Sequence, residues 1–165
     1  MTRTLILTRH AKSSWDHPGL PDHDRPLNKR GRASASAIGD WLRRKGYKPD
    51  EVLSSSSERT RETWLRMGLS ARNIRFLPEL YHAAPEQMRQ ALSQATGRTV
   101  LMLGHNPGIA EFAERCAQSV PKHPRFLDYP TCATTVLVFE MPDWSGIGSH
   151  RGQVIEFVTP RELTK

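Results

Sequence analysis

Cysteine is scarce in this chain: two residues of 165, Cys116 and Cys132, with no C-x-x-C pair between them. A disulfide framework and a thiolate metal cluster are therefore excluded, and two isolated thiols fit a reducing compartment. Long apolar runs are missing too. None approaches the roughly 18 residues needed to cross a membrane. Leu5-Ile6-Leu7 gives way at once to Thr8-Arg9-His10, too short for a signal-peptide core. Aromatic residues make up only 7% and are not interleaved with the basic ones, and there is no G-x-S-x-G elbow, internal repeat or low-complexity tail. What is present, 37% hydrophobic and 25% charged residues, suffices for one core. The expectation is a soluble, cytoplasmic, single domain over residues 1–165.

Twenty-four Lys and Arg against 17 Asp and Glu leave a net charge of +7. Lys29, Arg30, Arg32, Arg43, Arg44, Lys45 and Lys48 bias the first third toward positive charge. Without a nucleic-acid motif, this reads as a solvated basic surface that favours approach by a small or protein-borne anion. No nucleic-acid or membrane partner is expected.

The hydrophobic pattern alternates between strands and helices. Leu5-Ile6-Leu7 and Val100-Leu101-Met102-Leu103 read as buried strands, and 13–26, with three prolines and a glycine, as a long loop. A helix is expected over 27–45, with Ala33, Ala37, Ile38, Trp41 and Leu42 on its apolar face and Gly46 as its stop. A second helix fits 58–67, stopped by Gly68, with Ser55 and Glu58 at capping-box spacing. A strand over 74–77 and a helix over 85–95 follow. Asn106 is placed to cap a helix whose first residue is Pro107, with Ile109, Phe112, Ala113 and Cys116 inward. Strands over 134–140 and 153–158 close the chain, and this last pair is a candidate for antiparallel pairing. Such alternation implies a three-layer α/β/α sandwich with a largely parallel sheet and helices on both faces.

Three polar clusters follow predicted strands: Arg9-His10, 54–59, and His105-Asn106. Parallel strands would bring these clusters together at their carboxyl ends, where α/β sheets gather ligands. Two arginines and two histidines in one crevice would seek an anion, and a guanidinium fork suits phosphate oxygens. The helix after Asn106 would add backbone donors.

Leu5-Ile6-Leu7-Thr8-Arg9-His10-Ala11-Lys12 resembles the opening of the histidine phosphatase superfamily, whose usual form is Arg-His-Gly. Ala11 in place of that Gly resembles the branch of SixA-type phosphohistidine phosphatases. In order along the chain, 24–31, 52–63, Leu103-Gly104-His105-Asn106-Pro107-Gly108 and Pro130-Thr131 resemble later blocks of the same family. The resemblance implies a phosphoglycerate-mutase-like fold and a metal-independent phosphatase without a cofactor. His10 would be transiently phosphorylated, Arg9, Arg59 and His105 would hold the phosphoryl oxygens with Asn106, and inorganic phosphate would be released. A neutral imidazole near its ordinary pKa of about 6.5 is a competent nucleophile.

A general acid has no clear counterpart in the sequence; Glu79 and Asp24 are the candidates. Phosphohistidine releases imidazole, a better leaving group than an alkoxide, so a missing acid points toward phosphoramidate substrates. The expected substrate is phosphohistidine in a protein. The alternatives are a small-molecule phosphomonoesterase of the same chemistry and a non-catalytic phosphate- or phosphoprotein-binding module. Lys12 and Ser13 could assist at the rim. Arg61 is out of register with the family pattern, and Asp22-His23-Asp24 lacks the second cluster a metal site would need. His17, His23, His82, His123 and His150 are expected to be ordinary loop residues.

Overall fold

The computed structural model describes residues 1–164. Six strands, β1 (Thr2–Arg9), β2 (Glu51–Ser55), β3 (Asn73–Leu77), β4 (Thr99–Gly104), β5 (Thr134–Glu140) and β6 (Gln153–Val158), form one sheet in the order β3-β2-β4-β1-β5-β6. The first four in that order are mutually parallel. β5 runs against both of its neighbours, so it is the one reversed strand of the sheet. The helices are α1 (Lys29–Lys45), α2 (Glu58–Met67), α3 (Pro85–Ser93), α4 (Gly108–Cys116) and α5 (Pro160–Leu163).

The pleat sends successive side chains to opposite faces and so builds two cores. Leu5, Leu7, Val100 and Met102 pack with Met88 and Leu92 of α3 and Ile109 and Phe112 of α4. Ile6, Val52, Leu101 and Leu103 pack on the other side with Ile38 and Leu42 of α1 and Trp64 and Met67 of α2, and Leu163 of α5 joins them. Strands covered on both faces need not alternate, and for this reason β1 and β4 read as unbroken apolar runs. The sandwich expected from the sequence is present.

Local details depart from expectation in informative places. α1 begins at Lys29 because Asn28 Oδ1 accepts from Gly31 N at 2.8 Å, and it ends at left-handed Gly46, φ 81°. Its buried stripe runs through Gly31, Ala35, Ile38, Gly39 and Leu42, while Ala33 is exposed and Ala37 half-buried. Glycine supplied the contact surface, which a hydrophobicity pattern does not register. A Cβ on Gly31 would lie 2.1 Å from Lys12 O, so the first turn of α1 rests directly on the backbone that follows β1. α2 is capped by Ser57, which accepts from Thr60 N, and not by Ser55. α3 stops at Ser93, two residues short of the expected end.

The start of α4 is corrected as well. Pro107 occupies the cap position and Gly108 begins the helix, because the Asn106 side chain is committed elsewhere. A Cβ on Gly108 would meet Ala83 O at 1.8 Å. That close approach lays the 81–84 segment against the start of α4, beside His105.

Candidate active site

β2, β4 and β1 are adjacent and parallel, so the residues leaving their carboxyl ends share one edge of the sheet. Arg9 ends β1 and His10 follows it, Arg59 sits in the first turn of α2 just beyond β2, and His105 follows β4. These four side chains line one open crevice of roughly 270 Å³ with Arg25 and His82. Lys12, Ser13, Trp15, Asn106 and Thr131 complete its rim.

His10 is 7% exposed, and its Nδ1–H donates to the Ala11 carbonyl at 2.7 Å. This fixes the tautomer in which Nε2 carries the lone pair. Burial lowers its pKa to about 3, the Ala11 bond opposes the shift, and Arg9, Arg59 and Arg25 add to it. The imidazole is thus neutral at physiological pH. His105 lies with its ring centroid 5.3 Å from that of His10. Its Nε2–H donates to Ser55 Oγ at 2.8 Å, which leaves Nδ1 to accept from Arg59 Nη2 at 3.4 Å. Burial, then His10, Arg59 and His82, lower its pKa to about 2.

The guanidinium groups are braced from behind. Arg9 Nη1 donates to Tyr129 O at 3.1 Å, and its pKa is lowered first by burial and then by Arg59. Arg59, 4% exposed, donates through Nη1 to Asp22 O at 2.8 Å and through Nη2 to Asp22 Oδ2 at 3.0 Å. Asp22 also accepts from Arg25 Nη1 at 2.9 Å and from the Tyr81 hydroxyl. The Tyr81 bond, followed by those of Arg25 and Arg59, holds the Asp22 carboxyl well below the usual carboxylate range. Arg25 is further fixed by Ser14 O and Ser13 Oγ, and it lies 3.4 Å from the centroid of the Trp15 ring.

Four positions differ from the sequence expectation. His82, expected to be an ordinary loop residue, lines the crevice 3.1 Å from Arg59 Nη2 and 3.4 Å from Asp22 Oδ2. Glu79 and Asp24, the candidate acids, are exposed and line no part of it. Asn106 does line it, but its Nδ2 donates to Asp128 O at 2.9 Å and to Tyr129 O at 3.0 Å. With both amide protons so used, the side chain has no donor left for a phosphate and ties down the 123–131 segment instead. Arg61 points away, with its Nε on Ser56 O and its guanidinium 4.2 Å from the Phe76 ring centroid.

The sequence does not mark Asp22, Tyr81 and Arg25 as partners in this network, although Arg25 lies within the 24–31 block that resembles the family. The left-handed φ values of His82 (53°), Tyr129 (49°) and Cys132 (62°) all fall in segments bordering the crevice. Non-glycine residues held there are costly and cluster where the surrounding structure imposes a conformation. Among the described residues, no group of three His, Cys, Asp or Glu side chains is placed to hold a metal ion. Among the same residues, no helix is long and apolar enough to cross a membrane.

The described geometry has counterparts. The profile of the histidine phosphatase superfamily, branch 1, matches residues 5–80. An uncharacterised chloroplast protein of Arabidopsis thaliana is 39% identical over 127 residues, 68% of this chain and 58% of that protein. The chain thus spans less than two thirds of that relative. A Nakamurella multipartitia structure assigned as phosphohistidine phosphatase SixA superposes with a TM-score of 0.84 at 28% identity, covering 97% of each chain. One from Agrobacterium tumefaciens, assigned likewise, gives 0.77 at 29% identity over 96% of this chain and 98% of that one.

Proposed function

Because the chain belongs to the histidine phosphatase superfamily, we propose that it is a metal-independent phosphatase that removes the phosphoryl group from phosphohistidine in a protein, through a phosphorylated His10. One observation carries the reading: a neutral, buried imidazole whose Nδ1 is occupied by Ala11 O, leaving Nε2 as the nucleophile amid Arg9, Arg59 and His105.

In the first step Nε2 of His10 forms a bond to phosphorus as the substrate P–N bond breaks. The departing imidazole keeps the proton already on its other nitrogen and takes up the bonding pair. Arg9 and Arg59 hold the phosphoryl oxygens, whose charge grows most widely spread in the transition state. Fixed by Tyr129 O and Asp22, they need little reorganisation at that moment. In the second step water attacks phosphorus, the P–Nε2 bond breaks and inorganic phosphate leaves. An arriving phosphate would raise the pKa of His105, letting Nδ1 take a proton and donate to an oxygen.

What the crevice can protonate supports this substrate class. Asp22 is the carboxylate nearest the arginines, and it is held ionised by three donors. Glu79 and Asp24 lie off the crevice. An alkoxide leaving group would therefore depart without carboxylate help, whereas phosphohistidine does not require it.

The test is turnover in excess EDTA of a phosphohistidine protein and of alkyl phosphate esters, with trapping of labelled enzyme at alkaline pH. Phosphate should map to His10, disappear in His10→Ala, and leave the phosphoramidate at least about tenfold faster than the ester, about 1.4 kcal/mol in barrier. Equal or faster ester hydrolysis would overturn the substrate, and a label on another residue the mechanism.

A further inference from the structure

Beside the crevice, and sharing Lys12 and Thr131 with it, runs a second groove of roughly 200 Å³. Four cations meet there from four separate parts of the chain: Lys12 after β1, Arg30 on α1, Arg125 in the segment before β5, and Arg161 on α5. No carboxylate lines it, and among the described residues only Arg125 has an ion-pair partner, Asp128. The first turn of α1 carries Lys29, Arg30 and Arg32 and no acidic residue, although cations are disfavoured at a helix N-terminus. Gly31 presses that turn onto Lys12 O and so holds Arg30 near Lys12. The fold gathers like charges here in spite of their repulsion.

We infer that this groove docks an acidic stretch of a protein substrate, holding its carboxylates while the phosphohistidine enters the crevice next door. This rests on the phosphohistidine reading above and adds to it the surroundings of the modified residue. Two observations favour a protein over a small bisphosphate. The four cations are all exposed on an open surface and do not encircle an enclosed pocket. On the rim of the adjoining crevice stands Trp15, 78% exposed, with its ring face on Arg25. An exposed tryptophan beside a charged patch has the make-up of a protein interface.

The test uses two phosphohistidine peptides made with phosphoramidate, one flanked by Asp and Glu and one by Asn and Gln, together with p-nitrophenyl phosphate and propanediol bisphosphate. Wild-type kcat/KM should favour the acidic peptide by at least about tenfold at low salt and lose the preference at high salt. The double variant Arg30→Glu, Arg161→Glu should erase that preference through KM, with p-nitrophenyl phosphate and the neutral peptide within about twofold of wild type. A preference that survives the variant overturns the inference, as does equal loss on both peptides. Loss confined to the bisphosphate would make the groove a small-anion site, and tighter binding of a random oligonucleotide would make it a nucleic-acid surface; either overturns it. If wild type hydrolyses p-nitrophenyl phosphate but neither peptide, the substrate reading fails separately. The groove is then judged by fluorescence anisotropy with the unphosphorylated acidic peptide, whose affinity must still drop about tenfold in the variant.

Discussion

Acid should unfold this protein earlier than its carboxylates alone would allow, and the two crevice histidines set the size of the effect. His10 and His105 have native pKa values of about 3 and about 2, against 6.5 when exposed. Below that ordinary value the unfolded chain binds two protons that the native state refuses, so stability falls as pH falls. One proton is worth about 1.36 kcal/mol per pH unit. At about pH 5 the cost is roughly 2 kcal/mol for each histidine and roughly 4 kcal/mol for both, whatever the native values are so long as both lie well below 5. That is a large share of a typical total of about 5–15 kcal/mol.

The depressed carboxylates act in a lower window. Asp22 and Glu62 stay ionised in the native state below their ordinary 3.8 and 4.5, so their contribution is lost only beneath those values. Urea denaturation followed by tryptophan fluorescence at about pH 7.5 and about pH 5 isolates the histidine term. His10→Gln should remove about half of the drop, and the double variant with His105→Gln nearly all of it. Inorganic phosphate should also lessen the drop in wild type, because a bound anion favours the protonated imidazole. A wild-type stability flat across this range, or a drop unchanged in the double variant, would refute the burial argument.

Two further substitutions probe the arginines. Arg59→Ala should lower kcat by roughly 10²–10³ with the fold retained, as when one oxyanion donor is removed; Arg61→Ala should stay within about twofold, and a reversed order would put the wrong arginine in the site. Asp22→Asn should lower kcat about tenfold with a smaller change in KM, because the carboxylate shared by Arg59, Arg25 and Tyr81 sets their geometry. Unchanged turnover would show that Arg59 holds its place without Asp22.

Much of the architecture could be read from the chain because its signals are local. The apolar runs of β1 and β4, the stops at Gly46 and Gly68, and the bounds of β5 and β6 each depend on a few adjacent residues. The meeting of Arg9-His10, Arg59 and His105 was legible because each follows a strand and parallel strands point their ends one way. His82 was not, because nothing in Tyr81-His82-Ala83 marks it; the contact of Gly108 with Ala83 O brings it in, and that contact joins distant segments. Asp22 reads as loop polarity until Arg59 and Arg25 are seen to converge on it. Asn106 looked like a helix cap because that spacing is common, but its acceptors lie in a segment about twenty residues on.

The reversal of β5 gives the crevice one wall of a different kind. The other contributions lie on segments that follow a strand and turn back into a helix. The 117–133 segment instead arrives before a strand, anchored by the Tyr129 hydroxyl on Leu7 O at 2.7 Å. Its reach is not dictated by the return path of a helix. Lengthening it ahead of that anchor would add chain near Thr131 at the crevice rim while leaving the strands and the guanidinium groups on their own segments.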